Sequence, residues 1–103
     1  MDETIPTPES QIIKPKLELS PYSPVEVWVT LENENAFETI AEIYAYLRDI
    51  ADKLKALFPE QVAARNLFIT QTGKQIRIQT GGFRELKAED LKQIQAAVDS
   101  FNK

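Results

Sequence analysis

Apolar and polar residues alternate through Val25-Glu26-Val27-Trp28-Val29-Thr30-Leu31, the period of a strand with one buried face. Val25, Val27, Val29 and Leu31 are expected to point inward, and Trp28 outward. The period then changes. Phe37, Ile40, Tyr44, Leu47, Ala51, Leu54 and Phe58 recur at steps of three and four, with Ile43, Ile50 and Leu57 widening the stripe, which is the pattern of an amphipathic helix. Asn35 followed by Glu38 supplies an N-cap and a reciprocal carboxylate, and Pro59 ends the run, so the spacing predicts one helix of about 23 residues. Its stripe is broad enough to cover a sheet and broader than a two-stranded coiled-coil seam, which favours a core helix over a zipper. Glu34, Glu38 and Glu42 near its start and Lys53 and Lys55 near its end oppose the macrodipole, so those charges need no functional explanation.

A short connection with room for one helical turn leads to two further alternating runs, Leu67-Phe68-Ile69-Thr70-Gln71 and Lys74-Gln75-Ile76-Arg77-Ile78-Gln79-Thr80. They read as a β-hairpin. With Thr72-Gly73 as its loop, Ile69 faces Ile76, Leu67 faces Ile78, and Phe68 faces Arg77 on the other side. Gly81-Gly82 lets the chain turn. A last helix from about Ala88 is expected to bury Leu91, Ile94, Val98 and Phe101. The order strand-helix-strand-strand-helix predicts a two-layer α+β body, with a three- to four-stranded antiparallel or mixed sheet and two helices on one face. This order resembles a ferredoxin-like half lacking its last strand, a likeness of fold that implies no function.

Five of the six prolines, Pro6, Pro8, Pro15, Pro21 and Pro24, fall in the first 24 residues, where each fixes φ and removes a backbone donor. Residues 1–24 are therefore read as an extended or disordered arm and residues 25–103 as a single α+β domain. Within the arm, Leu17 and Leu19 alternate with Lys16 and Glu18, which suits a short edge strand over 16–20.

Composition removes several functions. There is no cysteine and no histidine, which takes away disulfides, thiolate and imidazole metal sites, Cys or Ser–His nucleophile pairs and the commonest neutral-pH acid/base group. The carboxylates Asp49, Asp52, Glu89 and Asp90 lie on polar helix faces, Tyr44 belongs to the helical stripe and Tyr22 to the arm. No catalytic residue, metal ligand or cofactor is assigned. The start Met1-Asp2-Glu3-Thr4 lacks the basic and apolar pattern of a secretory leader, and no run approaches the ~18 apolar residues of a membrane span, so a cytoplasmic protein that does not bind membrane is expected.

The 12 basic residues are outnumbered by 16 acidic ones, for a net charge of -4, which gives no general attraction to nucleic acid. Residues 65–87 run against this balance: Arg65, Lys74, Arg77, Arg84 and Lys87 against Glu85 alone give +4. Gln71-Thr72-Gly73-Lys74 lacks the leading glycine and the hydroxyl ending of a phosphate loop, so turn chemistry explains it. Gly81-Gly82 with Arg84 and Lys87 nearby offers at most a weak anion site. The open sheet face is expected to carry Trp28, Phe68 and Arg77. With Lys74 and Arg84 these are the candidate binding residues. They point to a small non-enzymatic protein-interaction module that self-associates, as a homodimer, and binds a protein partner through this face, through the arm or through both, the arm's Ile12, Ile13, Leu17, Leu19 and Tyr22 being suited to an added extended segment. A nucleic-acid-binding domain using the basic hairpin and the aromatics is the alternative, and a small cofactor-free enzyme is the second.

Overall fold

The computed structural model describes residues 14–82 and 84–103, so the first part of the arm lies outside the described residues. It contains strands β1 (Leu17–Ser23) and β2 (Glu26–Leu31), a 3-10 turn (Glu34–Ala36), helices α1 (Ile40–Lys55) and α2 (Pro59–Ala63), strands β3 (Leu67–Thr72) and β4 (Gln75–Thr80), and helix α3 (Ala88–Phe101). The four strands form one sheet in the order β1-β2-β4-β3, antiparallel at every pairing.

Strand alternation sets the two faces of this sheet. Leu17, Val27, Val29, Leu31, Leu67, Ile69, Ile76 and Ile78 are buried against Ile43, Leu47, Ile50, Ala51, Leu54 and Phe58 and against Ile94 and Val98 of α3. Helix α1 packs on β3 and β4, and α3 on β1. The core thus lies between one sheet face and one helix layer. The opposite face carries no helix among the described residues. Strand β1 takes the edge position that Leu17 and Leu19 foreshadow, and it reaches Ser23 despite Pro21, which an edge strand tolerates. Its register slips between Pro21 and Ser23.

Three local expectations are corrected. The long helix begins at Ile40, because Thr39 forms the capping box: its hydroxyl accepts from Glu42 N (3.2 Å), and the Glu42 carboxylate accepts from Thr39 N (3.0 Å) and Glu38 N (2.9 Å). Asn35 lies instead in the 3-10 turn. The same helix ends at Lys55, and Pro59 opens α2 at its first position. The residue before a proline is driven out of the α region, and Phe58 has φ -132°. In the hairpin, Thr72 pairs with Gln75, so the loop is Gly73-Lys74 and the register moves: Ile69 faces Ile78, Thr70 faces Arg77, and Phe68 faces Gln79. Gly73 has φ +60°, and the first loop position of a II′ turn is where glycine is wanted.

Two asparagines tie the start of β1 to the rest of the described structure. Asn33 Oδ1 accepts from Lys16 N at 2.7 Å, and its Nδ2 donates to the Lys14 carbonyl. At the end of α3, Asn102 Oδ1 accepts from Leu17 N and Asn102 Nδ2 donates to Leu17 O, both at 2.8 Å. Because Glu32 N donates to Lys16 O across the β1–β2 pair, the polar groups of Leu17 point away from β2, and the Asn102 amide occupies the place of a fifth strand there.

Candidate protein-interaction surface

Trp28 lies at the middle of β2 on the helix-free face, between Ser20 of β1 and Arg77 of β4 in register. The Arg77 guanidinium carbon sits 4.8 Å from the centre of the Trp28 ring, within the range of a cation–π contact. Arg77 Nε is also 3.4 Å from Glu26 Oε2. Glu26, two residues before Trp28 on the same strand face, has a side chain only 13% exposed. Arg77 is therefore held between an aromatic ring and a carboxylate, with its own side chain 40% exposed. Such a clamped guanidinium presents its edge at low entropic cost.

Beside this pair runs a shallow groove of about 340 Å³ lined by Ser20, Pro21, Trp28, Thr30 and Gln75. Pro21 contributes an apolar wall that strand reasoning about the arm did not place near Trp28. Glu26 joins the site by the same alternation that sets Trp28 outward, although no feature of the sequence singles it out. Phe68, 44% exposed on the edge strand β3, is separated from Trp28 by β4. It leans toward Gly81, whose lack of a side chain makes room: a Cβ there would lie 3.2 Å from Phe68 Cε2 and collide with the Arg65 carbonyl oxygen.

The other basic candidates do not join this patch. Lys74, in the hairpin loop, donates to Glu34 Oε1 at 2.7 Å, and this hydrogen bond together with the Glu34 charge raises the lysine pKa. Arg84 lies at the far end of β4, where its carbonyl accepts from the Thr80 hydroxyl. There it lines a cleft of about 140 Å³ shared with Lys87 and with the acidic Glu85 and Asp90. The +4 segment is thus divided into a loop lysine paired with Glu34, a strand arginine paired with Glu26, and a mixed-charge cleft.

Two residues of the predicted core stripe are on the surface: Ile40 is 54% and Tyr44 39% exposed. Ile40 is the first residue of α1, at the open end of its buried stripe, and Tyr44 lies on the stripe's margin. Among the described residues no group of His, Cys, Asp and Glu is arranged to hold a metal ion, and no helix is long and apolar enough to cross a membrane. Comparison of the chain with protein-family models, curated proteins and solved structures gives no match.

Proposed function

We propose that the protein is a non-enzymatic interaction module that binds an extended segment of a protein partner across its helix-free sheet face. The observation that carries this is the Trp28–Arg77–Glu26 cluster bordering the apolar-walled groove. Tryptophan and arginine, packed together and partly shielded from water, are the residue types around which binding energy concentrates at protein interfaces. The groove accepts one apolar or aromatic anchor of the partner over Trp28, while Gln75, Thr30 and the Arg77 edge supply polar rim contacts. The β2-α1-β3-β4-α3 portion is read as a ferredoxin-like half, with β1 taking the position of the missing strand. On that reading the sheet face opposite the helices is the binding platform.

Nucleic-acid binding draws less support, because Lys74 and Arg77 are engaged by carboxylates and counterion release needs cations free to meet phosphates. The test is selection of peptides from a displayed random library by the wild-type protein and by Trp28→Ala with an unchanged circular-dichroism spectrum. Trp28 is the only tryptophan, so its fluorescence reports binding directly. Enriched peptides sharing an apolar anchor, quenching or shifting Trp28 emission and lost with Trp28→Ala, are expected. Absence of any Trp28-dependent peptide, together with oligonucleotide binding that weakens steeply with salt, would reverse the assignment.

A further inference from the structure

The two edges of the sheet are treated differently. At β1, the outward N–H and C=O of Leu17 are taken by Asn102, Pro21 has no N–H to offer, and α3 packs alongside. These are the devices by which edges are blunted against pairing. Strand β3 has neither the side-chain clasp nor a proline, although α1 and α2 pack against it. Asn66 O accepts from Gly81 N, and Phe68, Thr70 and Thr72 follow it at the even positions opposite β4. By antiparallel alternation the N–H and C=O groups of Leu67, Ile69 and Gln71 then point away from the sheet. Among the described residues nothing pairs with them.

The exposed large apolar side chains of the described residues gather at this same edge. Phe68 stands on β3 itself. Ile40 and Tyr44 belong to α1, which packs over β3 and β4. At about 100° per residue they lie on the flank opposite Lys53, whose Nζ sits 5.8 Å from the Phe101 ring of α3. That flank therefore overhangs the β3 side.

We infer that β3 is the docking edge for a second copy of this chain, paired antiparallel about a two-fold axis at Ile69 to make one continuous sheet. Self-complementarity selects this occupant. With Ile69 opposite Ile69, each Leu67 meets the other copy's Gln71, so every outward group on both strands is used, in about six hydrogen bonds. Shifting the axis to Leu67 or Gln71 leaves outward groups unpaired. On the open face Phe68 falls opposite Thr70 of the second copy, with the two Phe68 rings diagonal and within reach. On the helix side, two α1 helices each seated over the last two strands come about 10 Å apart, the spacing of packed helices, and cover Ile40 and Tyr44. The flank also carries Arg48 and Asp52, so antiparallel helices meet with both signs of charge. Ile40, Tyr44 and Phe68 together offer roughly 250 Å² of apolar surface a side, well below the about 800 Å² per partner of a stable interface, so a weak dimer, held largely by the strand hydrogen bonds and populated at hundreds of micromolar, is expected.

Sedimentation velocity on the full chain up to about 500 µM should show a monomer–dimer equilibrium, with Gln71→Pro weakening it about tenfold or more. The substitution deletes an outward N–H that no other described residue bonds, a place where an edge strand accepts proline. Because the chain has no cysteine, Phe68→Cys and Thr70→Cys give a register test that holds even if Gln71→Pro misfolds. Mixed under oxidation, they should cross-link to each other faster than either does to itself. A wild type monomeric throughout, a folded Gln71→Pro with undiminished dimer, or no preference for the mixed cross-link would overturn the inference. Trp28→Ala should leave the dimer intact while losing peptide binding. Loss of the dimer in a folded Trp28→Ala protein would place the contact on the open face and sink the edge assignment alone.

Discussion

Asn102 joins the last turn of the chain to its first described strand, and its contribution is open to a sharp test. In Asn102→Ala the backbone bonds that end α3, from Asn102 N to Val98 O and Ser100 O, are untouched. The two 2.8 Å bonds to Leu17 disappear. Each is worth about 1 kcal/mol net, giving about 2 kcal/mol for the pair. For a domain of this size that lowers Tm by roughly 10 °C. Asn102→Asp refines the test. An ionised carboxylate still accepts from Leu17 N but repels Leu17 O, whereas the protonated acid both accepts and donates. The neutral form is favoured in the folded state, so the introduced carboxyl has its pKa raised there, and the stability it adds is present at low pH and lost as pH rises through that value. Thermal melts from pH 3 to 7 should show Asn102→Asp approaching wild type in acid and falling to or below Asn102→Ala at neutrality. Hydrogen exchange at the Leu17 amide should accelerate in both variants. Melting of Asn102→Ala within about 2 °C of wild type, with Leu17 exchange unchanged, would refute the clasp as a stabilising element.

Other perturbations address separate parts of the fold. Thr39→Ala removes the hydroxyl half of the capping box and should cost about 1 kcal/mol in urea unfolding, while Asn35→Ala should change little. Gly81→Ala must displace the Arg65 carbonyl and should destabilise more than Gly73→Ala, where space is open and only the positive φ is penalised by about 1 kcal/mol. Arg77→Gln removes the charge over the indole and should shift Trp28 emission without unfolding the protein; an unchanged spectrum would argue against the stacked arrangement in solution. The Glu18 carboxyl has its pKa raised from the ordinary carboxylate value, first by its hydrogen bond to Glu32 and then by the Glu32 charge. A raised carboxyl pKa favours the folded state below the unfolded value, and that contribution is lost as pH rises through the folded one. Glu18→Gln should therefore melt higher than wild type near pH 7, with the difference closing toward pH 3.

Strands β2, β3 and β4 and helix α3 are legible because each repeats its period long enough to override local ambiguity. The details that escaped are those settled by one residue against another. Thr72-Gly73 and Gly73-Lys74 both satisfy the look of a two-residue loop, and choosing between them moves every pair in the hairpin by two positions, which is why Arg77 lies in register with Thr70 and not with Phe68. Asn35-Glu38 and Thr39-Glu42 are competing capping signals; the second prevails because one Glu42 carboxylate satisfies two backbone donors. At the interaction surface, Trp28 and Arg77 follow from alternation alone, whereas the groove depends on Pro21. Pairing of β1 with β2 is local, closed by the turn at Pro24-Val25, and is hard to read because Pro15, Pro21 and Pro24 make the segment look like an irregular arm.

The nearness of Asn102 to Leu17 also bears on how connectivity relates to architecture. A short link from the end of α3 to the start of β1, with the chain opened in the exposed turn at Pro24, would move the first strand to the last place in the sequence while leaving every strand with its present neighbours. The reordered chain would read strand, helix, strand, strand, helix, strand. With residues 1–13 left out of the rearranged chain, positions spaced this closely are what circular permutation needs. The same four-stranded layer is thus available to two chain orders that share one core.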